Sequence, residues 1–138
     1  MTINYILNTM FSKDNISKHC RDLKSKAYVK LNTGGLGDVH SKSITDIKII
    51  SVNKKIVVGL DTEDATANNQ NTDIACLVMA DTPDKEMTVE EVIDALHKID
   101  NNLELCAIDK EYKQGWILSI IGIFDESIDN RIVTNFCV

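Results

Sequence analysis

Proline is nearly missing from this chain, with one residue in 138, and glycine contributes only six. That scarcity excludes long breaker-rich linkers and low-complexity tails, and the length suits a single domain over residues 1–138. Aromatic residues make up 5 % of the chain and tryptophan occurs once. With a net charge of −6, this argues against direct nucleic-acid binding, which calls for a basic footprint and rings on which bases stack. The longest uncharged apolar run, Gly115 to Phe124, has ten residues. A membrane-spanning helix needs about twice that, so no membrane partner is expected.

Chemical motifs are lacking too. The N-terminal stretch MTINYILNTMFSKDN has neither a positive leading region nor a small-residue cleavage site, so no signal peptide is expected. Cys20, Cys76, Cys106 and Cys137 are widely separated, and three of them lie in apolar-periodic segments. They read as reduced core thiols of a cytoplasmic protein. His19, His40 and His97 have no Cys or His at metal-ligand spacing. Asp61, Glu63 and Asp64 open like a carboxylate-rich ion loop, but the glycine and terminal glutamate of an EF-hand are missing. No local signature marks a nucleophile. The expectation is a protein without catalytic residues, metal or cofactor.

Charge is unevenly spread. Residues 13–55 carry ten Lys or Arg against four acids, whereas residues 61–111 carry fourteen acids against Lys85, Lys98 and Lys110. Such halves either pair with each other or meet an anionic ligand and a basic partner separately.

Hydrophobic periodicity supplies the elements. Ile3 to Met10 reads as a short strand. A helix capped by Ser12 or Asp14 follows, with Ile16, Cys20 and Leu23 on one stripe. Ala27 to Leu31 is a strand leading into the glycine loop 32–38. Ile44 to Val52 and Lys55 to Asp61 form a hairpin turning at Asn53-Lys54. A polar loop covers 62–72. Asp73 to Ala80, apolar on both faces, is an interior strand. Thr88 and Glu91 form a capping box for a helix whose Val89, Val92, Ile93, Leu96 and Ile99 share a face, and Asn101-Asn102 ends it in a left-handed backbone. Leu103 to Ile108 and Gly115 to Phe124 are strands of a second hairpin, the latter apolar on both sides, and Arg131 to Val138 adds to an edge. The expected fold is α+β, mainly antiparallel, with six to eight strands and two helices packed on the sheet. Two helices cover one face; the other needs a second sheet, barrel closure or another subunit. A homo-oligomer is the favoured solution at this chain length.

The segment MTVEEVIDALHKIDNNLELCAI, residues 87–108, resembles a pattern met in short uncharacterised accessory proteins of tailed bacteriophages. There a Thr-Val-capped, acidic-opening helix is followed by a polar turn and an alternating strand. The family often has proline in the turn where this chain has Asp100-Asn101-Asn102. The resemblance covers about a quarter of the chain. It implies a phage-type α+β protein working in the host-cell cytoplasm, often against host machinery or defences, and it carries no catalytic residues over.

The run Thr33-Gly34-Gly35-Leu36-Gly37-Asp38-Val39 is similar to the glycine loop of bacterial glycogen and starch synthases. Asn32 stands where those enzymes have lysine, and 138 residues cannot hold their two domains. Neither a Rossmann nor a P-loop spacing is met. Glycine amides can still face an anion, so Lys24, Lys26, Lys30, Gly34, Gly35, Gly37 and His40 form the candidate anion site. Glu90, Glu91, Asp94 and Trp116 form the candidate partner surface. The expected function is non-enzymatic binding of a host or defence protein, as inhibitor or mimic, or sequestration of a phosphate-bearing nucleotide signal. An immunity or antitoxin protein against one cognate toxin is the alternative.

Overall fold

The computed structural model describes residues 1–18, 22–32, 39–53, 57–58, 71–81, 83–110, 117–128 and 130–138. The fold is α+β, but the sheet is mixed rather than mainly antiparallel. Eight strands are hydrogen-bonded in the order β3-β6-β5-β4-β2-β1-β8-β7. They are β1 (Ala27–Asn32), β2 (Val39–Asn53), β3 (Val57–Val58), β4 (Asn71–Ala80), β5 (Leu105–Asp109), β6 (Ile117–Ser119), β7 (Gly122–Ile128) and β8 (Arg131–Cys137). The pairs β1–β8, β3–β6 and β4–β5 are parallel. The last of these is forced by a helical crossover between β4 and β5, since parallel neighbours cannot be joined by a tight turn.

That crossover contains α3 (Val89–His97), which forms as the sequence predicts. The Glu91 N–H donates to Thr88 Oγ1 at 3.2 Å and the Thr88 N–H to Glu91 Oε1 at 3.4 Å, completing the capping box. Two further first-turn amides are taken up from outside the helix: Val89 N–H donates to the Ser25 carbonyl and Glu90 N–H to that of Leu23. The helix ends through Lys98 in a right-handed conformation. Asn101-Asn102 does not adopt the expected left-handed turn, because the Asn102 N–H is held by Asp100 Oδ1 at 3.0 Å; among described residues Asn130 alone, apart from glycine, has positive φ.

Ile3 to Met10 is helical, not a strand. α1 (Ile3–Tyr5), capped by Thr2 Oγ1, runs into a π-helical turn over Ile6–Met10. Ile3 and Ile6, three apart, are both fully buried, so the period that matters here is helical. α2 (Lys13–Lys18) starts where Ser12 Oγ accepts the Asn15 N–H. Cys20, in its expected continuation, lies outside the described residues.

Of the second strand of the hairpin expected from 44–52 and 55–61, Val57 and Val58 are the described residues, and they pair with β6 rather than with β2. β2 instead runs fifteen residues, pairing with β1 across the glycine loop and with β4 from Ser43↔Ala80 to Asn53↔Asn71. Val57 and Val58 of β3 lie against Ile117 and Leu118. The interior position of β4 is as expected: both of its faces are buried along Ile74 to Ala80. Nor is β8 an added edge, since it sits between β1 and β7.

The expected long strand from Gly115 to Phe124 divides. Its first part, β6, pairs with β5; after Ile120 and Ile121 its second part, β7, pairs with β8 at the other end of the strand order. A two-residue separation brings those two ends together, so the sheet curls upon itself. Paired rows from Ser119 pass through Cys106 and Cys76 to Lys48. Rows from Gly122 pass through Cys137 and Lys30 to Ser41. A step forward on one strand therefore becomes a step back on β2, the stagger of tilted strands in a closing barrel.

Apolar residues are buried on both faces of the sheet. Ala27, Val29, Ile44, Leu77, Leu105, Ala107, Ile123 and Phe136 form one cluster with Ile3, Ile6, Val89, Val92 and Leu96 of the helices. On the opposite face Val57, Ile74, Cys76, Cys106 and Ile117 form a second.

Candidate binding surfaces

Of the residues expected to form an anion site, the structure describes the side chains of Lys24, Lys26 and Lys30. Lys26, just before β1, and Lys30 within it alternate with the buried Ala27 and Val29. Lys26 Nζ is paired with Glu86, whose other oxygen accepts the Ser43 hydroxyl at 3.0 Å. The Lys26 hydrogen bond, helped by that of Ser43, holds the Glu86 carboxyl below the usual carboxylate range. Lys30 Nζ donates to Glu126 Oε2 at 3.1 Å, beside Asn135 Nδ2 at the same distance, and lies 4.9 Å from the centre of the Phe124 ring. Lys24 is exposed in a turn where its N–H donates to Asp22 Oδ1. Gly34, Gly35 and Gly37 lie outside the described residues, as does the side chain of His40, whose backbone pairs with Leu31.

Three residues of the expected partner surface lie on α3. Glu90, Glu91 and Asp94 are exposed on α3, while Val89, Val92 and Leu96 on its opposite stripe are fully buried. The amphipathic spacing makes the presentation, since Asp94 lies four residues from Glu90 and three from Glu91, the separations that bring side chains together on one side of a helix. Glu91 has a second task in the capping box, and Lys85 Nζ stands 3.9 Å from it. Trp116 lies outside the described residues.

Two charged features escaped the sequence. Where β2 begins and β4 and β5 finish, Lys42 Nζ is bonded to Asp109 and stands 3.4 Å from Asp81. The hydrogen bond to Asp109 raises the Lys42 ammonium above its ordinary value against the opposing effect of burial, and Asp81 adds to the rise. The pair is 17 % and 15 % exposed at its two side chains, and reads as a clamp between strand ends.

The second feature is a groove of about 350 Å³ on the outer face, next to the irregularity between Ile44 and Asp46 of β2. Lys48 from β2, Lys85 from the segment before α3 and Lys110 after β5 line it, with Asp46 and Asp84. The Thr45 hydroxyl in its wall donates to the Val78 carbonyl at 3.3 Å. Three lysines so far apart in sequence carry no local signal, and the bulge that re-aims β2 has no signature in its residues.

Among the described residues no group of three or more His, Cys, Asp or Glu is placed to hold a metal ion, and no helix is long and apolar enough to cross a membrane. Comparison with known proteins gives no matching family model, no matching curated protein and no matching solved structure.

Proposed function

We propose that this chain is a non-enzymatic accessory protein of the bacteriophage type, acting in the host cytoplasm by binding a basic surface of a host or defence protein. The observation that carries this reading is the exposed acidic face of α3, with Glu90, Glu91 and Asp94 presented by a helix whose other side is locked into the core. A preformed surface avoids the ordering cost of binding, and its charge steers encounter with a positive partner. The same charges supply an acidic mimic for a site that ordinarily holds nucleic acid. The acidic balance of residues 61–111 extends the field beyond the helix.

The test is charge reversal at Glu90 and Asp94, which leaves the capping box untouched. The Glu90→Lys, Asp94→Lys variant is expected to melt like the wild type and to lose a partner crosslinked to α3 in the producing host, with affinity down at least about tenfold. Retention of that partner at wild-type affinity would refute the acidic-face assignment.

A further inference from the structure

We draw no further inference here: the strongest candidate, the exposed apolar surface of Ile121, just before β7, and Phe124 within that last strand of the sheet order, carries nothing because nothing in the structure shows what covers it.

Discussion

Ile120 and Ile121 are adjacent, yet their amides donate in opposite directions. The Ile120 N–H reaches the Leu105 carbonyl at 3.0 Å and the Ile121 N–H the Cys137 carbonyl at 2.8 Å. This is where one strand leaves β5 and joins β8, and where the curled sheet meets itself. Ile120 is fully buried, whereas Ile121 is 65 % exposed. Ile120→Ala should therefore cost about 2–5 kcal/mol of unfolding free energy in urea titration. Ile121→Ala should stay within about 0.5 kcal/mol of wild type. Equal losses would mean that the two side chains do not face opposite ways.

The cap of α3 is a local device and should behave as one. Thr88→Ala removes the acceptor for the Glu91 N–H and should cost about 0.5–2 kcal/mol, read by the same titration. Thr88→Ser, which keeps the oxygen, should recover most of the loss.

Cys76 and Cys106 sit side by side on the parallel strands β4 and β5, both fully buried. Burial pushes each thiol up to about 12 from 9.0, with the neighbouring Cys106 adding at Cys76 and Glu104 adding at Cys106. A thiol whose pKa is raised on folding contributes stability that is complete below pH 9 and is lost as pH climbs toward 12. Unfolding free energy should fall over that window, less steeply in a Cys76→Ala, Cys106→Ala variant. A thiol reagent should reach neither residue until denaturant is added.

Glu86 gives the opposite limb. Its carboxyl pKa is lowered by Lys26 and by Ser43, so its stabilising contribution is present above the ordinary value of 4.5 and is lost as pH falls below it. Lys26→Met should lower stability at neutral pH and flatten the acid limb. A melting profile parallel to wild type through pH 3–5, within about 1 °C, would show that the pair adds nothing.

Light scattering should give the mass of one chain. Buried apolar clusters on both faces of the sheet are built from residues of one chain. A stable dimer would place Phe124 and Ile121 of β7, 41 % and 65 % exposed, at its interface, and Phe124→Glu would then dissociate it.

Elements set by neighbouring residues are legible in the order of the amino acids alone. The Thr88–Glu91 spacing and the stripe of Val89, Val92 and Leu96 specify α3 and its acidic outer face, and the doubly apolar run at Ile74 to Met79 specifies an interior strand. Capping and amphipathic period are short-range, so the chain states them locally. Tertiary structure decided which strands pair. Val57 leaves β2 for β6, β8 enters the sheet interior, and the run after Ile117 divides at Ile120, because pairing depends on which apolar face finds cover across the whole fold. The same holds for charge: composition shows a basic part and an acidic part, but only folding pairs Lys26 with Glu86 and Lys30 with Glu126, and places Lys48, Lys85 and Lys110 along one groove with Asp46 and Asp84.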